Sequence, residues 1–193
     1  MRFCPSCGSA VARSIPEGDS RPRDICTSPS CGKIHYQNPR IVTGCIVESG
    51  ERILLCRRAI EPRYGLWTLP AGYLENAETL AEGAARETME EANAEVEVID
   101  LFSIFTLAHI NQVYMLFRAA LKSRHFAAGD ESLEVRLLQE SQIPWGQLAF
   151  SAVEETIRLY FADRAAGRFR THIGEMRPAG EPGSRRYETL MLN

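Results

Sequence analysis

Three glutamates, Glu87, Glu90 and Glu91, stand together in the stretch RETMEEANAE, residues 86–95. A helix turns roughly 100° per residue, so these i, i+3 and i+4 positions share one side. Like charges at that spacing repel by roughly 0.2–0.5 kcal/mol per pair on an isolated helix. A divalent cation reverses the sign, because hard Mg²⁺ or Mn²⁺ binds carboxylate oxygens. The stretch alone therefore reads either as a cation site or as a solvated acidic face. Arg86 lies four residues before Glu90, well placed to orient it.

Four cysteines form a second group. Cys4-Pro-Ser-Cys7-Gly is a CxxC knuckle, and Cys26-Thr-Ser-Pro-Ser-Cys31-Gly is a wider pair. Two close thiolate pairs suit tetrahedral Zn²⁺. A Cys-, Pro- and Arg-rich segment as short as residues 1–39 cannot build its own core and needs such a staple. Cys45 and Cys56 fall in apolar, strand-like runs and read as small buried residues.

The elements that must position these groups follow from pattern. IVTGCIV (41–47) and RILLCRR (52–58) flank a Glu-Ser-Gly-Glu turn and read as a hairpin. GLWTLPAGYLE (65–75) reads as a strand broken at Pro70 and Gly72, followed by a helix over about 77–92. On that helix Ala77, Ala81, Ala84, Ala85, Thr88 and Ala92 make a flank of small residues, suited to close packing on a sheet. Asn93 stands where a left-handed C-cap belongs. Glu78 falls in the first turn, away from the other glutamates, where the helix dipole favours it. Strands are expected over 96–108, 111–122 and 134–139, and a closing amphipathic helix over 151–166. The fold class is α+β, an α/β/α sandwich around a mixed sheet. The expected organisation is a zinc ribbon over 1–39, a larger domain over 40–166 and a poorly ordered tail over 167–193.

Bulk composition narrows the function. The chain has 193 residues, 45% hydrophobic and 24% charged, with a formal net charge of −3. That balance gives no general nucleic-acid footprint. No apolar run approaches the ~18 residues of a membrane span, and the first ten residues carry no apolar signal core. Six cysteines without a secretory signal point to a reducing compartment, so a cytoplasmic protein is expected.

Gly72, Glu78, Arg86, Glu87, Glu90 and Glu91 together match G-x5-E-x7-R-E-U-x-E-E-x-G-U, where U is a bulky aliphatic. This resembles the Nudix box. Thr88 and Ala94 replace bulky aliphatics and Asn93 replaces Gly, which bears on packing and not on charge. CPSCG, IHYQNP, LLCRRAIEPRYGLWTLPAGYLE and ESLEVRLL look like the Nudix hydrolases that carry an N-terminal zinc ribbon, among them the plant chloroplast FAD pyrophosphohydrolase type. The resemblance implies Nudix-fold hydrolysis of a nucleoside diphosphate linked to another moiety, FAD (to FMN and AMP) or ADP-ribose first. It implies catalytic Mg²⁺ or Mn²⁺ on Glu87, Glu90 and Glu91, with Arg86 orienting a glutamate, Gly72 and Glu78 structural, and structural Zn²⁺ on Cys4, Cys7, Cys26 and Cys31. Glu134 is a candidate further ligand or general base. Arg58, Arg63, Tyr64, Trp67 and His109 are candidate substrate contacts. A homodimer is expected of this type.

NADH pyrophosphatases of the family carry SQPWPFP soon after the box, where this chain reads SIFTLAHINQ (103–112), so NADH ranks lower. Other readings are MutT-like nucleotide house-cleaning and a non-catalytic ligand-sensing regulator. The regulator reading is weakened because such proteins tend to lose the box carboxylates and this chain keeps them all.

Overall fold

The computed structural model describes residues 1–180 and 186–192. It divides into two compact units, Met1–Asn38 and Pro39–Asn193. In the first, β1 (Val11–Ser14), β2 (Arg23–Cys26) and β3 (Ile34–His35) form a three-stranded antiparallel sheet. The two cysteine loops are each closed by a glycine amide: Gly8 donates to the Cys4 carbonyl at 2.8 Å and Gly32 to the Ser28 carbonyl at 2.9 Å. The Ser28–Gly32 turn absorbs the two extra residues of the wider pair and returns Cys31 to the other three sulfurs.

In the second unit the strands are β4 (Arg40–Ser49), β5 (Arg52–Arg58), β6 (Trp67–Thr68), β7 (Ala71–Tyr73), β8 (Val96–Leu107), β9 (Gln112–Leu121), β10 (Ser132–Leu138), β11 (His172–Ala179) and β12 (Arg186–Met191). They join in one sheet ordered β10-β5-β4-β9-β8-β11-β12, with β6 beside β5 and β7 beside β4. The pairs β4–β9 and β8–β11 are parallel and the others antiparallel, so the sheet is mixed. Helix α1 (Leu80–Ala92) packs Ala84 and Ala92 against Cys45, Val47, Leu54 and Cys56, which are buried as the sequence suggests. Helix α2 (Ser151–Ala165) packs Val153, Ile157 and Tyr160 against Ile46, Ile53 and Leu55. Those positions alternate with the α1-facing ones along β4 and β5, as strand periodicity requires. One helix on each face is the sandwich architecture the sequence implies.

Three expectations need correction. The helix starts at Leu80, not 77, because Thr79 and Glu82 form a capping box and Ala77 is left-handed at φ 67°. Glu78 consequently precedes the helix instead of occupying its first turn. The segment from Gly167, expected as a poorly ordered tail, contributes β11 and β12; residues 181–185 and 193 of that expectation lie outside the described residues. Alternate residues His172, Gly174 and Met176 are buried, and β11 pairs with β8 from His172↔Ser103 to Glu175↔Thr106. Order here comes from a partner some seventy residues away in the chain, which local pattern does not reveal.

Candidate active site

The carboxylate group is built from the second half of α1, from the residues just before the helix and from strand β7. Arg86 is its hub. Its guanidinium donates to Glu78 Oε1 and Oε2 at 2.8 and 2.9 Å, to Glu87 Oε1 at 2.8 Å, to Glu90 Oε2 at 3.0 Å and to the Tyr73 carbonyl at 3.2 Å. The side chain expected from its spacing to orient Glu90 therefore holds three glutamates and a strand end. Glu78 also accepts from the Glu75 amide, and Arg86 holds its carboxyl down at about 2.

Gly72 lies on β7 facing the helix, and a Cβ there would collide with the Glu87 carboxylate. The missing side chain is what admits that carboxylate to the strand. Glu87 is half-buried and its pKa is raised, by burial first and by Glu90 and Glu131 against the opposing pull of Arg86. Glu91 is 5% exposed, and its Oε2 is buried without a hydrogen-bond partner. Burial first, and then the charge of Glu87, push it up to about 8; Arg58 and the Ala71 amide offset this in part. Glu90 is exposed beside them.

The C-terminal end of α1 is clamped by the loop between β9 and β10. Asn93 adopts the expected left-handed cap, φ 46°, and its Nδ2 donates to the Ala128 carbonyl at 3.2 Å. Gly129 donates to the Glu91 carbonyl at 3.0 Å, and a Cβ on it would strike the Glu90 carbonyl. This loop carries Glu131 to the site. Thr88, in place of an aliphatic, is fully buried and donates to the Ala84 carbonyl at 2.8 Å, so it fills the position without an unmet polar group.

Gly72, Tyr73, Arg86, Glu87, Glu90, Glu91, Asn93, Gly129 and Glu131, but not Glu78 or Thr88, open on one cleft of about 1410 Å³ within the second unit. That exceeds the roughly 300–1,000 Å³ of ordinary ligand pockets and leaves room for a dinucleotide. The structure distributes the candidate residues unevenly. Arg58 and Arg63 line the cleft; the Arg58 guanidinium lies 5.2 Å from the Phe150 ring centroid and donates to the Pro62 carbonyl at 2.9 Å. Trp67 is buried in the core, with Arg136 against its outer face, and Tyr64 and His109 are not on the cleft wall. Glu134 is likewise not brought to the cleft: its carboxylate pairs with Arg136. A bulge between Ser132 and Glu134 shifts the strand register, and Glu131, just before the strand, lines the cleft instead. Sequence reasoning missed Glu131, Phe150, Trp145 and Tyr187, all cleft residues. The acidic run Asp130-Glu131 before β10 was the available signal for the first. Tyr114 is buried in the cleft wall, its hydroxyl pushed up to about 12 by burial with Tyr73 and Tyr187 nearby.

In the first unit the sulfurs of Cys4, Cys7, Cys26 and Cys31 all lie within 4.8 Å of one another, and this is the one such cluster of potential metal ligands among the described residues. Cys4–Cys31 and Cys7–Cys26 are 3.9 and 3.4 Å apart. Zn–S bonds of about 2.3 Å in a tetrahedron separate sulfurs by about 3.8 Å, so the donor set and spacing fit zinc.

Comparison with known proteins agrees with this geometry. The family model described as Nudix N-terminal matches residues 2–37, and the NUDIX domain model matches residues 38–160. The chain belongs to the Nudix hydrolase family. A NUDIX hydrolase of Nitrosomonas europaea, known by crystal structure, is 52% identical with a TM-score of 0.87, over 91% of this chain and 98% of that one. The NAD-capped RNA hydrolase NudC of Vibrio atlanticus (strain LGP32) is 30% identical over 81% of this chain, which spans 58% of that relative's length. The ADP-ribose pyrophosphatase of Methanocaldococcus jannaschii is 27% identical over 60% of this chain and 69% of its own. Among the described residues no helix is long and apolar enough to cross a membrane.

Proposed function

We propose that the protein is a divalent-cation-dependent pyrophosphohydrolase that cleaves a nucleoside diphosphate linked to a second moiety, with FAD and ADP-ribose as the leading substrates. The observation that carries this reading is Glu91: a buried carboxyl with an unpartnered oxygen, beside Glu87, on the wall of a cleft of dinucleotide size. A buried acid with no cation beside it pays a desolvation penalty, which a divalent ion removes. Glu87, Glu90 and Glu91 would hold Mg²⁺ or Mn²⁺, and Cys4, Cys7, Cys26 and Cys31 would hold structural Zn²⁺. Bound Mg²⁺ or Mn²⁺ supplies Lewis acidity and charge neutralisation for attack of water on a pyrophosphate.

The protein's own groups do the rest. Arg86 fixes the Glu87 and Glu90 rotamers. Gly72 lets the substrate-side strand approach them. Arg58 and Arg63 face the cleft as cations for pyrophosphate oxygens. Glu131 takes the part of further ligand or general base that the sequence suggested for Glu134. The aromatic side chains of the cleft wall offer faces for a nucleobase.

The NudC relative gives a specific reason to retain NAD-linked substrates as a second reading. Against it, residues 103–112 lack the SQPWPFP motif of NADH pyrophosphatases. A cytoplasmic location and a homodimeric state complete the proposal. The test is incubation with Mg²⁺ or Mn²⁺ and FAD, ADP-ribose, NADH or 8-oxo-dGTP, with products separated by chromatography and Glu90→Gln run alongside. Release of AMP from FAD or ADP-ribose, lost in the variant, supports the reading. Binding of a dinucleotide without cleavage contradicts it and favours a sensor.

A further inference from the structure

The cleft is completed by a strand that the family model does not include. The NUDIX domain match ends at residue 160, and β11 and β12 both lie beyond it. β11 joins the sheet through β8, and β12 folds back along it with Tyr187 opposite Pro178. This hairpin carries Tyr187 to the cleft wall, partly exposed, where it packs on the Phe105–Leu107–Tyr114 core. His109 backs the ring, with centroids 5.6 Å apart at a 40° tilt. Tyr73 also lines this part of the wall, held by Arg40 at 5.1 Å from its ring centroid and by Gln112, which donates to its hydroxyl at 2.8 Å. A second aromatic group, Trp145 and Phe150, lines the same cleft; Arg158 braces Trp145 at 4.3 Å and Arg58 braces Phe150. One cleft thus offers two separately braced aromatic faces, with room for more than a single nucleotide.

We propose that Tyr187 is a specificity-determining residue that stacks on the second aromatic ring of a two-ring dinucleotide, the ring that ADP-ribose lacks. This rests on the pyrophosphohydrolase reading above. A residue delivered by an added hairpin suits the variable moiety of the substrate, whereas the nucleoside common to all candidates falls to the matched domain. Base-on-aromatic stacking is energetically large enough to read as roughly a five- to hundredfold change in binding.

The experiment compares wild type, Tyr187→Leu and Tyr187→Phe on FAD, NADH and ADP-ribose with Mg²⁺ or Mn²⁺. The quantity read is kcat/KM for each two-ring substrate divided by that for ADP-ribose. Tyr187→Leu is expected to lower this ratio at least fivefold through KM, and Tyr187→Phe to restore it, with all three melting alike. A ratio unchanged in Tyr187→Leu, or equal losses on all three substrates, overturns the proposal. Should wild type cleave none of them, the pyrophosphohydrolase reading fails separately. The same ratio is then taken from calorimetric Kd values for FAD and ADP-ribose, and the same two outcomes decide.

Discussion

Glu91 makes stability of the cation-free protein fall with rising pH. Its carboxyl moves from an ordinary 4.5 to about 8 on folding. Between those values the unfolded chain has released the proton and the folded chain retains it. The folded state then binds more protons, so stability declines as pH rises across this window and levels off above about 8. At about 1.4 kcal/mol per tenfold change in proton affinity, the full loss is about 5 kcal/mol. That is a large fraction of a typical domain's 5–15 kcal/mol. Glu91→Gln mimics the protonated acid and should lie within about 1 kcal/mol of wild type at pH 5. By pH 9 it should be more stable by several kcal/mol. Both tryptophans, Trp67 and Trp145, belong to the second unit, so urea unfolding followed by tryptophan fluorescence reports that unit directly. The experiment is run without Mg²⁺ or Mn²⁺; adding either should recover most of the loss in wild type and little in the variant. A pH-independent difference between the two proteins, or a variant less stable at pH 9, would refute the reasoning.

Three further outcomes are expected. Gly72→Ala places a methyl group against the Glu87 carboxylate, so turnover should fall at least about tenfold in a protein that still folds cooperatively, as measured by steady-state kinetics and fluorescence. Arg86→Ala releases Glu78, Glu87 and Glu90 together, and kcat should drop about 10–100-fold, the usual scale for groups that orient metal ligands. Cys7→Ser removes one of four clustered thiols; zinc content by mass spectrometry should fall from about one per chain, and residues 1–38 should become the preferred site of proteolysis.

Much of this site was legible because its determinants are local. The 3.6-residue period sets the three glutamates and Arg86 within reach of one another, and Asn93 at the cap and Gly72 at the strand are positions where backbone geometry restricts the residue type. The helix start was misread by three residues although Thr79-x-x-Glu82 is a capping-box signature. That error put Glu78 in the helix and hid its pairing with Arg86. What remained illegible depends on long-range pairing. The register of β10, with its bulge, decides that Glu131 and not Glu134 reaches the cleft. Tyr187 was invisible because its strand β12 is held by β11, whose apolar pattern glycine and proline interrupt and which β8 fixes rather than its own propensity. Trp67 shows the converse: an aromatic just before the break at Pro70 and Gly72 reads as a substrate contact, yet its place in the core is set by packing against β5 and α2.

The central claim is that the α1 carboxylates hold a divalent cation. The most direct measurement is titration of Mn²⁺ into the zinc-loaded protein at pH 7.5, with free Mn²⁺ followed by electron paramagnetic resonance, for wild type and for Glu87→Gln/Glu91→Gln. The account predicts saturable binding in wild type that the double variant loses while retaining its zinc. Equal Mn²⁺ uptake by both proteins would contradict it.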